Sequence, residues 1–291
     1  MMKDTKVLLI ADPEREGVQQ RLQQVQAMVQ DHATLVGVIE ATDDPLPEHY
    51  LGDDGVDLAI AMGGDGTIIS QARRLLGTGI ALAGINSGRL GFLAEFDVDS
   101  LGEHAELVFS GRPTTREPMV LAVRVRRADG AFSLEGAAIN DAVVTAGTPY
   151  RMIELALSID GHVGPELSGD GLIIATPIGS TAYNVSAGGP IVHPDVHAMI
   201  LTPHSAHGLA CRPIVTESSA VITVEMIRAN PGSSLVLDGR VATQLAEGDV
   251  VEVRAHTKRA LLVSNPSSDY WQTLISKLRW ALPPNYQQPG D

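Results

Sequence analysis

The sequence is poor in cysteine and in lysine. Its single cysteine, Cys211, excludes a disulfide within the chain and a zinc site built on several cysteines, which is typical of proteins kept in a reducing cytosol. Four lysines occur, and none lies between Val7 and Thr257, so a P-loop lysine or a Schiff-base lysine is excluded over most of the chain. Phosphate binding in that span therefore depends on arginine side chains, backbone N–H groups or a metal ion.

Long apolar runs and an excess of positive charge are also missing. No apolar run approaches the roughly 18 residues of a membrane-spanning helix, and Met1–Asp12 lacks the long apolar core of a secretion signal. The 35 acidic residues outnumber the 21 lysines and arginines, and a net charge of -14 repels nucleic-acid backbones and anionic lipids. We expect a cytoplasmic protein that binds neither nucleic acid nor a membrane.

Alternating secondary structure and 29 glycines are what the sequence does have. With 291 residues it is long enough for two domains, and its first third alternates apolar strands with helices, which predicts a parallel sheet. Beyond a predicted linker at 111–118, short runs of period two are separated by turns such as Asp-Gly and Pro-Gly, which predicts an antiparallel β domain. We predict an α/β domain over 1–112 and a β-rich domain over 117–266, with a C-terminal helix at about 269–291 that packs back on the first domain.

One glycine-rich turn has a pattern typical of phosphate binding. Between a predicted buried strand and a predicted helix stand Gly63, Gly64, Asp65, Gly66 and Thr67. Glycines let the backbone approach a polyphosphate, N–H groups at a helix start attract anions, and an aspartate can accept a hydroxyl proton or help to hold Mg²⁺. The alternative is an ordinary strand-to-helix turn in which Asp65 caps the helix.

A second stretch, residues 169–192, is rich in small and hydroxyl side chains. It contains Gly169-Asp170-Gly171 and the run Thr176-Pro177-Ile178-Gly179-Ser180-Thr181-Ala182-Tyr183. Such a turn can offer backbone groups and hydroxyls to a base and a ribose, while Tyr183 supplies a flat apolar face. The composition alone favours the alternative, a β-domain loop with a packed tyrosine.

Together these stretches resemble the NAD kinase family. The matching segments, in the family's order, are Gly63–Thr67, Ile85–Leu93, Asn140-Asp141, Gly169–Val192, and Thr202-Pro203 followed by His207 and Arg212–Val215. The resemblance implies an α/β N-terminal domain, a mainly antiparallel β C-terminal domain and an active site at the domain interface. It also implies transfer of a phosphoryl group from ATP or polyphosphate to the adenosine 2′-hydroxyl of NAD, with Mg²⁺ or another divalent metal, in a homo-oligomer, either a dimer or a tetramer.

The resemblance further implies roles for individual residues. Asp65 matches the family's catalytic aspartate, which contacts the attacking hydroxyl. The phosphate-donor turn would consist of Gly63, Gly64, Gly66 and Thr67. The expected NAD-binding residues are Asp65, Gly66, Asn140, Asp141, Arg151, Asp170, Thr181, Ala182, Tyr183, Ser186 and Arg240.

Three positions depart from the family pattern. Ser168, Ile178 and Arg240 stand where a basic residue, a threonine or serine, and a glutamine are common, so the choices between ATP and polyphosphate and between NAD and NADH stay open. We assign no metal ligand among the side chains. His193 and His197 have helical spacing, but Pro194 disfavours a helix there and no cysteine or glutamate completes a zinc site.

Two alternatives use the same residues. A lipid or sphingoid kinase shares the Gly63–Thr67 turn, but it does not predict the Thr176–Tyr183 run. A non-catalytic NAD-binding regulator would have no need of the Asp65 carboxylate. A Rossmann dehydrogenase is disfavoured because no Gly-x-Gly-x-x-Gly follows the first strand.

Overall fold

The chain divides into two compact units. The computed structural model describes residues 5–12, 14, 18–86, 91–149, 151–208 and 210–280. The first unit takes the chain up to Arg74, Thr78–Arg116 and the chain from Leu262 onward, and the second takes Leu75–Gly77 and Glu117–Leu261. The boundaries of the two domains predicted from the sequence, 1–112 and 117–266, stay predictions.

The described ranges form helices and strands as follows. The helices are α1 (Val18–His32), α2 (Asp65–Arg74), α3 (Val98–Glu103), α4 (Ala105–Val108), α5 (Tyr183–Ser186) and α6 (Tyr270–Leu278). The strands are β1 (Lys6–Ala11), β2 (Thr34–Glu40), β3 (Leu58–Met62), β4 (Ala81–Ile85), β5 (Thr115–Arg116), β6 (Leu121–Arg126), β7 (Phe132–Ala138), β8 (Asp141–Thr145), β9 (Ile153–Ile159), β10 (His162–Gly169), β11 (Gly171–Ala175), β12 (Ala198–His204), β13 (Ile214–Glu217), β14 (Ile222–Arg228), β15 (Ser234–Leu237), β16 (Arg240–Gln244), β17 (Val250–Ala255) and β18 (Leu261–Val263). None of the helices in these ranges has the length and apolarity needed to cross a bilayer.

The first unit is built on one six-stranded sheet. Its strand order is β2-β1-β3-β4-β18-β5, and β1 to β4 pair in parallel as the alternating pattern predicts. Every residue of β3 and β4 is buried, which explains their unbroken apolar sequences. Consequently the turns after β3 and β4 lie at the carboxyl ends of neighbouring strands, where open α/β sheets bind ligands.

Two predictions for the first unit need correction. The predicted linker at 111–118 contains β5, whose Thr115 and Arg116 pair with Val263 and Leu262 of β18. The sequence also indicates a single helix over 100–109, whereas the structure has two short helices, α3 and α4, which are separated at His104. Local composition did not show β5, because a two-residue strand is defined by its partner strand rather than by its own sequence pattern. It did not show the division of the helix at His104 either.

The second unit is a sandwich of two antiparallel sheets. Their orders are β10-β9-β14-β17-β6-β7 and β13-β12-β11-β8-β15-β16. Side chains from both sheets, such as Val123 and Leu155 from one and Leu172 and Leu201 from the other, form one continuous core. The second sheet is also covered on its far side, where Ile173 packs beneath the loop that follows β11. The predicted fold class, an α/β part followed by a mainly antiparallel β part, is confirmed.

The closing helix α6 differs from its predicted packing. Asp269 caps it, since its carboxylate accepts the Trp271 N–H at 2.8 Å. We expected an apolar side of Trp271, Leu274, Ile275 and Leu278. Leu274 is buried, but Trp271 is 59% exposed and Ile275 is 41% exposed. The helix ends at Leu278, and the predicted continuation over 281–291 lies outside the described residues.

Candidate active site

The Asp65 turn connects β3 to α2. Gly63 donates its N–H to the Ile85 carbonyl at 2.9 Å, which ties the turn to the end of β4. A Cβ atom on Gly63 would overlap the Thr67 side chain, so a larger residue cannot occupy this position without displacing the helix start. Because α2 begins at Asp65, the carboxylate belongs to the first helical turn, where negative charge is stabilised.

Three consecutive backbone N–H groups bind the Asp65 carboxylate. Its Oδ1 accepts the N–H groups of Leu93 and Ala94, both at 3.1 Å, and its Oδ2 accepts the Phe92 N–H at 3.0 Å. A Cβ atom on Gly91 would overlap the Asp65 carboxylate, so glycine is required there for the chain to pass so close. Each carboxylate oxygen has two lone-pair positions, and among the described residues one N–H group occupies Oδ2. Ser87–Leu90, the middle of the predicted 85–93 stretch, lies outside the described residues.

A pocket of about 360 Å³ lies in the second unit. Its lining comes from β8 and the residue before it, from β15 and the turn that follows it, and from the start of α5. The lining residues are Asn140, Asp141, Val143, Thr145, Ala182, Tyr183, Val236, Asp238 and Gly239. Four of the predicted NAD-binding residues, Asn140, Asp141, Ala182 and Tyr183, therefore lie around one cavity.

Asp141 is a buried carboxyl group in this pocket, with only 4% of its surface exposed. Burial, and then the neighbouring Asp238 carboxylate, raise the pKa of Asp141 to about 7. A group with that pKa exchanges its proton near neutral pH, so it can either donate or accept a hydrogen bond there. Strongly shifted carboxyl groups in a pocket are typical of functional sites.

Asp238 holds the backbone around Asn140, and sequence reasoning treated it as a turn residue only. Its carboxylate accepts the N–H groups of Ile139 at 3.0 Å, Asn140 at 2.7 Å and Asp141 at 3.3 Å. With φ of 48° at Asp238 and 79° at Gly239, the two residues have the positive φ angles of a type I′ turn between β15 and β16. The Asp-Gly pair was the available signal for the turn, but nothing local to it indicated that the carboxylate reaches residues 139–141.

The loop after β11 is fixed by buried polar side chains. Thr176 donates to the Ile139 carbonyl at 2.7 Å, and a Cβ atom on Gly179 would overlap the Asn140 backbone. Asn184, which is fully buried, accepts the Thr202 hydroxyl at 2.6 Å and donates to the carbonyls of Ser180 and Pro190. These contacts hold Ala182 and Tyr183 at the pocket wall.

Tyr183 contributes an aromatic face to the pocket and is 42% exposed. Its ring meets the His204 ring edge-on with centroids 5.5 Å apart, and its hydroxyl lies 3.3 Å from His204 Nδ1. Partial burial, followed by the Asp170 and Asp141 carboxylates, raises the pKa of the Tyr183 phenol. Asp170 is thus electrostatically coupled to the pocket, although it is not among the lining residues.

The remaining predicted residues of the second unit do not line the pocket. Thr181 donates to the Ile178 carbonyl at 3.2 Å, and Ser186 ends the short helix α5. Arg151 is exposed, and its carbonyl accepts the Asn230 side-chain N–H at 2.8 Å. Arg240 is exposed at the start of β16, directly after the Asp238-Gly239 turn.

Comparisons with known proteins match the chain over both halves. The model of the ATP-NAD kinase N-terminal domain matches residues 16–112, and the model of the ATP-NAD kinase C-terminal domain matches residues 139–265. An NAD kinase of Geobacter metallireducens is 38% identical over 278 residues, which cover 93% of this chain and 96% of that protein. The chain belongs to the NAD kinase family. An NAD kinase of Syntrophotalea carbinolica is 41% identical over 228 residues, covering 77% of this chain and 79% of that protein.

Solved structures of NAD kinase relatives share the fold. The yeast NADH kinase complexed with NADH has a TM-score of 0.79 at 21% identity, covering 98% of this chain and 90% of that one. An NAD kinase from Archaeoglobus fulgidus in complex with ATP has a TM-score of 0.74 at 23% identity, covering 94% of this chain and 99% of that one. At these identities the likeness concerns the fold alone. The predictions of an NAD kinase family member and of a phosphotransferase are confirmed by the family models and the relatives.

The three departures from the NAD kinase family pattern have different surroundings. Ser168 lies half-buried in β10, and its carbonyl accepts the His207 N–H at 2.8 Å. Ile178 is buried with 8% of its surface exposed, so its side chain fills space under the loop. Arg240 is exposed, which leaves it the departure best placed to meet a ligand.

Proposed function

We propose that this chain transfers the γ-phosphoryl group of ATP to the adenosine 2′-hydroxyl of NAD, giving NADP and ADP, and that Asp65 takes up the hydroxyl proton. The observation that carries the proposal is the family match over both halves, in which the Asp65 carboxylate is held by three backbone N–H groups. Phosphoryl transfer mainly needs positioning and charge stabilisation, which glycine turns and arginines can supply without a P-loop lysine.

In the proposed step, the 2′-oxygen bonds to the γ-phosphorus as the bond to the β–γ bridging oxygen breaks. The hydroxyl proton passes to Asp65 Oδ2, and ADP leaves with the electron pair of the broken bond. Three backbone donors fix the carboxylate, so it needs little rearrangement to meet the hydroxyl. The turn of Gly63, Gly64, Gly66 and Thr67 would present N–H groups to the donor phosphates.

The pocket in the second unit would hold the adenosine part of NAD. Tyr183 offers a ring face to the base, and Asn140 and Asp141 offer polar groups to the ribose or the base. We keep the remaining predicted contacts to NAD as proposals: Gly66, Arg151, Asp170, Thr181, Ala182, Ser186 and Arg240. Polyphosphate as donor and NADH as acceptor remain alternatives within the same reaction.

We propose that Mg²⁺ is brought to the reaction on the phosphates of ATP. Among the described residues, no three histidine, cysteine, aspartate or glutamate side chains are grouped so that they could hold a metal ion. Magnesium commonly needs only one or two carboxylates besides phosphate oxygens and water, so the donor set is compatible with an ion carried by the nucleotide. When bound, the ion would neutralise phosphate charge.

We propose a cytoplasmic location, because the single cysteine fits a reducing compartment. A tagged chain found outside the cytoplasm of its own cells would contradict this location.

We further propose a homo-oligomer, since the edge strand β13 exposes Ile214 (46%) and Val215 (50%).

Asp65→Asn is the variant that tests the catalytic assignment. Purified chain is incubated with Mg²⁺, ATP and NAD, and NADP is read with an NADP-specific dehydrogenase. We expect NADP from the unchanged chain and a fall in turnover of at least about 100-fold in the variant, because the amide cannot accept the hydroxyl proton. Binding of NAD, measured by calorimetry, should change little.

Asp97→Asn serves as the matched control. Asp97 also accepts a backbone N–H near a helix start, from Ser100 at 2.8 Å, and it lies in the same unit. We expect it to keep full turnover. Near-normal turnover in Asp65→Asn would remove Asp65 from its proposed role, and an unchanged chain that binds NAD without forming NADP would contradict the reaction itself.

A further inference from the structure

The 91–94 segment, which donates three N–H groups to Asp65, is itself held by side chains. Its backbone has one internal tie, from the Gly91 N–H to the Ala94 carbonyl at 3.2 Å. That single bond does not fix the segment relative to β5 or to the chain after β18. The side chains that do so are Arg116 of β5 and Asn265, both of which meet the segment at or beside Glu95.

Arg116 joins Glu95 and Phe92 through one nitrogen. Its Nη2 lies 2.6 Å from Glu95 Oε1 and donates to the Phe92 carbonyl at 3.1 Å. The Glu95 side chain is 10% exposed and the Arg116 side chain 25% exposed, so water screens this ion pair little. The Phe92 residue is thereby bonded at both ends, since its N–H donates to Asp65 and its carbonyl accepts from Arg116.

Asn265 holds Glu95 from the other side. Its backbone N–H donates to Glu95 Oε2 at 3.0 Å, and its side-chain Nδ2 donates to the Glu95 carbonyl at 2.9 Å. The Glu95 carboxylate is therefore fixed at both oxygens, one by Arg116 and one by Asn265. A carboxylate fixed in this way gives Arg116 a defined position from which to bond Phe92.

We propose that Arg116, oriented by Glu95, is a positioning residue that holds the Phe92–Ala94 backbone against the Asp65 carboxylate during phosphoryl transfer. The proposal rests on the proposed role of Asp65. Arg116 touches no reacting atom in this account and acts through Phe92. Loss of its contact would let the three donors separate from Asp65, and the carboxylate would lose its fixed orientation toward the hydroxyl.

The network is a poor device for stability alone. Buried ion pairs cost desolvation energy that their attraction offsets only with good geometry and full hydrogen bonding. Arg116 Nε is buried and, among the described residues, finds no hydrogen-bond partner, which adds a cost. An arrangement with this cost is more consistent with fixing a geometry than with stabilising the fold.

Arg116→Lys tests the proposal, because lysine keeps the charge but its nitrogen lies one bond closer to the backbone than Arg116 Nη2, from which both contacts are made. We expect kcat to fall by about 10-fold to 100-fold with KM for NAD within about twofold, since displacement by ~1 Å can cost that much in rate. Hydrogen exchange of the Phe92–Ala94 amides should become faster. Glu95→Gln should show the same pattern to a smaller extent.

Arg127→Lys is the matched control. Arg127 Nη1 lies 2.6 Å from Asp249 Oδ2, the same distance as in the Arg116 pair, and the Asp249 side chain is 3% exposed. This pair belongs to the second unit, and the residues that line the pocket do not include it. We expect Arg127→Lys to lower Tm by about as much as Arg116→Lys does, and to leave kcat unchanged.

Each other outcome contradicts a separate claim. Unchanged exchange of the 92–94 amides in Arg116→Lys, or faster exchange with unchanged kcat, would overturn the positioning role. An equal loss of kcat in Arg127→Lys would also overturn it, because the effect would then be one of stability. If Asp65→Asn kept its turnover, both the catalytic assignment and this inference would fall, whereas an inactive Asp65→Asn beside an active Arg116→Lys would overturn the inference alone.

Discussion

At the scale of single residues, the ionisation of Asp141 connects the pocket to the stability of the protein. Burial and the neighbouring Asp238 raise the pKa of Asp141 from 3.8 to about 7. Between these two values the folded chain holds a proton that the unfolded chain has lost. The favourable contribution of this proton is therefore complete below pH 3.8, falls as the pH rises, and is gone once the pH has passed about 7.

Asp141→Asn should remove this dependence on pH. Asparagine does not titrate, so the free energy of unfolding of the unchanged chain should decline relative to the variant as the pH rises from about 5 to 7, by an amount on the order of a few kcal/mol, and then level off. Urea unfolding at several pH values measures the difference.

Asp97→Asn provides the contrast for this experiment. Hydrogen bonds from the backbone and side chain of Ser100 lower the pKa of Asp97, so its contribution is present above the ordinary carboxyl pKa and is lost as the pH falls. Its effect should be constant over the same window. A difference between the unchanged chain and Asp141→Asn that did not vary with pH would contradict the raised pKa.

At the scale of elements, two turns of the same type allow the role of an aspartate in the turn itself to be distinguished from its role in the pocket. Asp160-Gly161 and Asp238-Gly239 both have two positive φ angles, and each joins neighbouring antiparallel strands. Asn-Gly suits a type I′ turn as well as Asp-Gly does, so either aspartate can become asparagine without loss of the turn. The two differ in what the carboxylate binds: Asp160 accepts one N–H, from Val221, whereas Asp238 accepts three around the pocket.

Asp238→Asn should therefore weaken NAD binding, while Asp160→Asn should not. One amide oxygen cannot serve three donors as a carboxylate does, so we expect a loss of about 1–3 kcal/mol in stability and a several-fold higher KM for NAD. Steady-state kinetics and thermal unfolding of both variants measure these effects. Equal KM values in the two variants would show that Asp238 is only a turn residue.

Two strands of the β part show why a local pattern does not predict every strand. β10 and β12 contain Pro165 and Pro203, which lower the strand signal of a local pattern. Pro165 lies at the irregular pairing between Val163 and Glu166 on an edge strand. Pro203 lies beyond the last residue of β12 that pairs with β13. Both prolines are tolerated because of the neighbouring strands, which the local sequence does not contain.

At the scale of the whole molecule, the proposed homo-oligomer makes a direct prediction. One chain has a mass of 30.8 kDa, so light scattering of the purified protein should give at least twice that value. The unpaired edge and apolar side chains of β13 support association. The mass of a single chain at micromolar concentration would contradict the proposal.

The fold class and the family could be predicted from the sequence, but the side-chain contacts that support the site residues could not. The glycine-rich turns are short motifs that can be read directly from the sequence. Together with their order along the chain, they were sufficient for the family assignment. Asp238 reaches its targets from a turn, and His204 and Arg116 reach theirs from strands. All three are distant from their targets in sequence, so no local pattern indicated them. Arg116 was placed in a linker for the same reason.

Within the described ranges, the groups that bind the Asp65 carboxylate are main-chain N–H groups. Any residue except proline supplies such a donor, so the identities of the side chains at Phe92, Leu93 and Ala94 do not enter this contact directly. Gly91 has no such freedom, because a Cβ atom would overlap the carboxylate. Packing restricts two of these positions, since Leu93 is 5% exposed and Ala94 is fully buried, whereas Phe92 is half-buried. Mutant libraries aimed at changed donor or acceptor preference can therefore diversify position 92, with proline left out, while positions 91, 93 and 94 stay fixed.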